Sequence, residues 1–252
     1  MPTVPTTADT DRGLWIRRFR PLPDARARLL CLPHAGGSAS FFLPVAHALA
    51  PDIEVLAVQY PGRQDRRGES CVDNVPELAD RLLDALAGWL DRPLALFGHS
   101  MGALVGFELA GLLEREANVK PTVLFASGRR APSHADDEGV HLRGDEQIIA
   151  EMQRLGGTDA RILDDPELRA LILPALRADL KAAETYRPAH THRLGCPIEV
   201  LIGDADPRTP LPETRAWREH TSGEFGLTVY SGGHFFLSDR APEVIRHIAD
   251  RL

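Results

Sequence analysis

The chain has 252 residues, 43% of them hydrophobic, and a formal net charge of -7. That is enough apolar material for one sizeable core, and the negative balance argues against general nucleic-acid binding, which needs a basic face. Cys31, Cys71 and Cys196 are scattered without CxxC spacing and read as reduced, structural side chains. No run approaches the roughly 18 apolar residues of a membrane span. Residues 1–12, rich in Thr, Pro and Asp, lack a secretory pattern and read as a disordered tail. A cytoplasmic location is expected by elimination.

Short apolar runs predict strands at 14–16, 29–32, 55–58, 94–97, 123–126, 198–202 and 227–230. Helical patterns lie between them at 41–50, 75–90 and 101–116, and a last one at 242–252. Pro76 and Pro242 suit the first turns of two of these helices. The alternation implies an α/β fold, a mostly parallel twisted sheet with helices on both faces. The interval 133–195 breaks the rhythm, with helical patterns at 145–155, 166–173 and 175–186 and no good strand. A bare loop of that length is unexpected, so the segment reads as a helical lid inserted into a core made of 13–132 and 196–252.

Gly98-His99-Ser100-Met101-Gly102 matches G-x-S-x-G, between an apolar strand and an apolar helix. That context is what the pattern requires, because a sharp strand-to-helix turn exposes a nucleophilic serine and tolerates only small neighbours. A serine hydroxyl needs a base, and the expected chain order is Ser, then Asp or Glu, then His. His234 follows the last strand in Ser231-Gly232-Gly233-His234-Phe235-Phe236, whereas His247 lies within a helix and His220 precedes a strand. His99 is expected to diverge from the serine it adjoins. Asp204 and Asp206 both follow the 198–202 strand. Asp204 is placed to cap the turn, and Asp206 to reach His234, fix its tautomer and stabilise the imidazolium. Backbone N–H groups of Ala35, in Leu32-Pro33-His34-Ala35-Gly36-Gly37, and of Met101 are the candidate oxyanion donors. His34 is expected to shape that loop. His190, Thr191, His192 and Cys196 match no strong metal pattern, so neither metal nor cofactor is expected.

The chain resembles the type II thioesterases of polyketide and nonribosomal peptide biosynthesis, members of the α/β-hydrolase superfamily. The resemblance runs from about residue 14 to the C-terminus. It rests on the Pro33-His34-Ala35-Gly36-Gly37 loop, Tyr60-Pro61-Gly62-Arg63, the Ser100 motif, Leu173-Pro174-Ala175-Leu176-Arg177-Ala178-Asp179, Gly203-Asp204-Ala205-Asp206 and Gly232-Gly233-His234-Phe235. It implies Ser100, Asp206 and His234 as a triad, Ala35 and Met101 as oxyanion donors, and a flexible lid over an acyl pocket. It also implies a substrate carried on the phosphopantetheine arm of an acyl or peptidyl carrier protein, from which stalled or misloaded groups are released. With no room for a fused carrier domain, a free-standing, monomeric hydrolase is expected.

Docking an acidic carrier to an acidic enzyme calls for a local basic patch. Arg63, Arg66 and Arg67, and then Arg129 and Arg130, follow strands on the face where such sheets build their sites, and Arg63, Arg66, Arg129 and Arg130 are the docking candidates. A carboxylesterase or lipase acting on small esters could use the same triad. A non-catalytic binding protein is the remaining alternative, and retention of all three triad candidates argues against it.

Overall fold

The computed structural model describes residues 13–134, 138–157, 165–188 and 193–252. Seven apolar runs become β1 (Ile16–Arg17), β2 (Ala27–Leu32), β3 (Ile53–Val58), β4 (Leu94–His99), β5 (Leu124–Ser127), β6 (Ile198–Gly203) and β7 (Phe225–Tyr230). They form one sheet in the order β1-β3-β2-β4-β5-β6-β7. Among the described residues only the β1–β3 pair is antiparallel. Strands β2 to β6 are buried along their whole length, as expected of parallel strands covered on both faces.

The helices are α1 (Leu43–Ala48), α2 (Val75–Leu86), α3 (Met101–Arg115), α4 (Asp145–Leu155), α5 (Pro166–Thr185), α6 (Leu211–Arg215), α7 (Phe236–Asp239) and α8 (Ala241–Asp250). Strand periodicity sorts the core into two layers. Leu30, Leu32, Leu56, Val58, Leu94 and Leu96 pack with α2 and α3. Their neighbours Leu29, Cys31, Val55, Ala57, Ala95 and Phe97 pack with Ala46 of α1 and with Val244 and Ile248 of α8. Each fully buried leucine contributes about 1.5–3 kcal/mol of transfer free energy.

The sheet order reverses direction between β2 and β4, so the loops that follow these two strands lie side by side at a topological switch point. That crevice positions the site.

Of the segment expected as an insertion, α4 and α5 are described and share a small core with Val140 of the preceding 3-10 turn: Ile148, Ile149 and Met152 from α4, Leu176 and Leu180 from α5. The two patterns expected at 166–173 and 175–186 form one helix, with Pro174 inside it. A proline there removes the bond to the Ala170 carbonyl. Residue 170 is exposed, so water can satisfy that group, and the good helix formers on either side carry the helix through. Asp165 caps its start by accepting from the Glu167 and Leu168 N–H groups. Near the chain's start, the pattern at 41–50 is split into a 3-10 turn, Ala39–Phe42, followed by α1. Among the described residues no helix is long and apolar enough to cross a membrane. The tail at 1–12, His190 and His192 lie outside the described residues.

Candidate active site

Ser100 alone makes the turn from β4 into α3, at φ 54° and ψ −114°. A side chain in that left-handed region is strained and persists only where its surroundings over-determine it. Here they do. A Cβ on Gly98 would meet the Gly102 carbonyl oxygen at 2.1 Å, and one on Gly102 would meet the Leu32 carbonyl oxygen at 2.1 Å. The two glycines of the motif are therefore required by backbone pressed on backbone. The Ser100 N–H donates to the Ser127 carbonyl at 2.8 Å, which ties the turn to β5.

Asp206 leaves the end of β6, and His234 follows β7. Their loops meet, with His234 Nδ1 2.8 Å from Asp206 Oδ2. The other carboxylate oxygen, Oδ1, accepts the Arg208 N–H at 2.8 Å. Burial by itself raises the Asp206 pKa, but the His234 hydrogen bond and charge and the Arg208 N–H outweigh it, holding the carboxyl below the ordinary aspartate value. Asp204 is exposed and its Oδ1 accepts the Gly232 N–H at 2.9 Å, so it caps the neighbouring turn. With Asp206 on Nδ1, His234 presents Nε2 as its remaining ring nitrogen.

Two further imidazoles surround His234. His99 is fully buried with its ring centroid 5.0 Å from that of His234, and its Nδ1 lies 3.0 Å from Ser127 Oγ. His34 sits 5.9 Å from His99 and packs edge-on against Phe41 and Phe235. Burial, then the charges of His234 and Arg63, push the His34 pKa down to about 3. Burial and the neighbouring His234 and His34 likewise lower His99. Both stay neutral near pH 7, so neither ring places a positive charge beside His234.

Backbone donors converge on the same crevice. Met101 opens α3, and first-turn N–H groups have no intrahelical acceptor. In the loop after β2, the Gly37 N–H closes a turn on the His34 carbonyl at 2.9 Å, with Ala35 inside that turn. Ser100, Ala35, His34 and His234 all line one cavity of about 50 Å³. Its far side is the helical segment: Met152 and Leu155 of α4, and Leu180, Ala183 and Glu184 of α5.

Arg208 joins the two sides. Its N–H bonds Asp206, while its guanidinium reaches Glu151 of α4 at 2.5 Å and Glu138 at 3.1 Å. Sequence reading missed this link, and it missed the packing of His99 beside His234. An alternating-face argument along β4 could have found His99, since it shares the face of Phe97.

The arginines expected to dock a carrier all make contacts within the protein. Arg63 is buried with both terminal nitrogens on Asp179 of α5. Arg66 is 2% exposed, grips Glu69 through Nε and one terminal nitrogen, and lies over the Trp15 ring. Arg129 is buried, donates to the Ala183 carbonyl at 3.1 Å and lines the cavity. Arg130 bonds the Arg208 carbonyl and pairs with Glu213 at 3.2 Å. The loops at the carboxyl edge of the sheet bring carbonyls and carboxylates together, and the five-donor guanidinium fork satisfies them. Among the described residues no group of three or more His, Cys, Asp or Glu side chains is arranged to hold a metal ion.

Residues 27–252 match the family model of the Thioesterase domain. The chain is 53% identical over 245 residues to Thioesterase PikA5 of Streptomyces venezuelae, covering 97% of this chain and 87% of that protein. Among solved structures it is similar to the type II thioesterase BorB from the borrelidin biosynthetic cluster, with 48% identity, a TM-score of 0.88, and 94% and 97% of the two chains covered. It is also similar to YbtT, a type II thioesterase from the yersiniabactin NRPS/PKS pathway, with 32% identity, a TM-score of 0.84 and the same coverage. A serine on a strained strand–helix turn, a buried His–Asp pair and a mostly parallel sheet thus accompany sequence likeness along nearly the whole chain, which belongs to the thioesterase domain family with the α/β-hydrolase fold.

Proposed function

We propose that the chain is a serine thioesterase of the type II kind, which hydrolyses acyl groups from the phosphopantetheine arm of acyl or peptidyl carrier proteins in a polyketide or nonribosomal peptide pathway. The observation that carries the reading is the 2.8 Å His234–Asp206 contact, with His234 and Ser100 lining one cavity. The similarity to BorB and YbtT supports the substrate class.

Ser100 Oγ attacks the thioester carbonyl while His234 Nε2 takes its proton. Asp206 holds the ring and stabilises the imidazolium. The N–H groups of Ala35 and Met101 receive the oxyanion. The C–S bond breaks, His234 returns the proton to the departing thiolate, and an acyl ester remains on Ser100. Water, deprotonated by the same imidazole, attacks that ester; the bond to Ser100 Oγ breaks, His234 returns the proton to that oxygen, and the acid is released. The steps balance without a metal or a cofactor beyond the arm carried by the substrate. The helical segment over the cavity acts as a lid, consistent with editing of stalled or misloaded carriers.

Replacing Ser100 by Ala should lower kcat on an acyl-carrier substrate by about 10⁴-fold or more. Retention of full activity would remove the mechanism. Comparison of acyl-carrier, acyl-pantetheine and p-nitrophenyl ester substrates then separates a carrier-directed thioesterase from a small-ester hydrolase, the first predicting the highest kcat/KM on the carrier.

A further inference from the structure

Two of the motifs noted in the sequence, Tyr60-Pro61-Gly62-Arg63 and Leu173-Pro174-Ala175-Leu176-Arg177-Ala178-Asp179, take no part in the proton relay. The structure joins them. Asp179 of α5 is 1% exposed, and its carboxylate accepts three hydrogen bonds: Arg63 on Oδ2 at 2.5 Å and on Oδ1 at 2.8 Å, and the Gly36 N–H on Oδ2 at 2.7 Å. The same arginine donates to the carbonyl of Gly37 at 3.2 Å and to that of Pro61 at 3.2 Å. Two consecutive peptide planes of the loop after β2 are thereby pinned. The His34–Ala35 peptide is held through its carbonyl by the Gly37 N–H, and the Ala35–Gly36 peptide through its N–H by Asp179.

We propose that Asp179, seated by Arg63, is a positioning residue that aims the Ala35 N–H at the oxyanion. This rests on the assignment of Ala35 as an oxyanion donor. The need for such a clamp is physical. Gly36 sits at φ +74°, and a Gly–Gly pair has more backbone freedom than any other, so this loop cannot hold a donor still by its own preferences. An oxyanion donor acts only when fixed before charge develops. A carboxylate answers the requirement because it accepts from the loop N–H and from the arginine together, and a guanidinium keeps its charge at any working pH. Asp179 also belongs to the helix that lines the acyl cavity through Leu180, and Ala35 packs against that helix's small core. The cover of the pocket and the alignment of the donor are therefore one mechanical unit.

The test uses Asp179→Ala, Asp179→Asn and Arg63→Lys in the full chain, assayed on a small acyl thioester and on acyl-carrier protein, with thermal midpoints alongside. Asp179→Ala should lower kcat about 10- to 100-fold, since displacement of a positioned group by an ångström can cost that much. KM should change by about twofold or less, as for an interaction made only in the transition state. Inactivation of Ser100 by a phosphonate, whose P=O oxygen occupies the oxyanion site, should slow by the same factor as kcat. The pH profile of kcat/KM should not move. Asp179→Asn keeps one acceptor and should lose less, about 3- to 10-fold. If the alanine variant does not fold, the asparagine variant decides between the two outcomes. A merely structural ion pair would lower the thermal midpoint and leave kcat and the phosphonate rate of the folded variants unchanged, and that result overturns the proposal. If Asp179→Ala is fully active while Ser100→Ala is dead, this inference alone falls; if Ser100→Ala is active as well, the proposed thioesterase function falls with it.

Discussion

Two buried aspartates organise this site, and they contrast in what they hold. Asp206 grips an imidazole on a loop at the carboxyl edge of the sheet, whereas Asp179 grips a guanidinium and a loop N–H from a helix that covers the cavity. An imidazole can pass its proton on near neutral pH, so the first pair can take part in chemistry. A guanidinium does not deprotonate in proteins, so the second pair can only hold geometry. Burial and partner number are similar in the two. What separates a proton relay from a brace is the pKa of the partner.

The contrast is broken most severely at the first pair. Asp206→Asn preserves shape but presents Nδ1 with the wrong partner, and kcat should fall about 10³- to 10⁴-fold. The Asp179 variants should fall well short of that. Steady-state kinetics on one small thioester would place both on one scale, and equal losses at the two aspartates would erase the distinction between relay and brace.

Acid sharpens the comparison next. His34, with its folded pKa pushed down to about 3, lies far below the unfolded value of about 6.5. The unfolded chain therefore binds more protons between those limits, so stability is full above about pH 6.5 and declines as pH falls toward 3. His99, lowered in the same direction, adds to the decline. Asp206, held below its ordinary value, contributes stability that is present above about pH 3.9 and lost as pH falls through its lower folded value. Denaturant unfolding across this range should show the loss beginning near pH 6, and His34→Gln should flatten the upper part of the curve. A wild-type stability independent of pH from 7 to 5 would contradict the neutral-histidine reading.

The smallest expected effect concerns the cover. Met152 of α4 lines the cavity with Ser100. Met152→Ala should enlarge it and shift the ratio of kcat/KM for longer against shorter acyl groups by about 3- to 10-fold toward the longer, the range set by a few methylenes of packing. A ratio unchanged across a series of acyl thioesters would show that the helical segment does not gauge the substrate.

The sequence made one of these aspartates legible and hid the role of the other. Ser100, Asp206 and His234 each follow an apolar strand, and the ends of parallel strands lie on one edge of the sheet, so their meeting could be expected from local pattern and chain order. Asp204 could be set aside because a residue directly after the strand serves the turn, as its bond to Gly232 shows. The partnership of Arg63 with Asp179 spans 116 positions and depends on how α5 lies across the core, which no periodicity encodes. The burial of Arg63 was equally hidden from a sequence reading, whereas Arg66 has a local carboxylate partner in Glu69, three residues on. The unbroken α5 is a related case, because whether a proline ends a helix depends on where the orphaned carbonyl faces.

Central to the mechanism is the passage of the acyl group through Ser100. Intact-mass analysis of an acyl-loaded carrier protein incubated with the chain, followed by peptide mapping of the enzyme after rapid acid quench, tests it most directly. The acyl mass should leave the carrier, appear transiently on the peptide containing Ser100 and then vanish as free acid, with none of these events in Ser100→Ala. A carrier that stays loaded, or that is unloaded by Ser100→Ala at the wild-type rate, would contradict it.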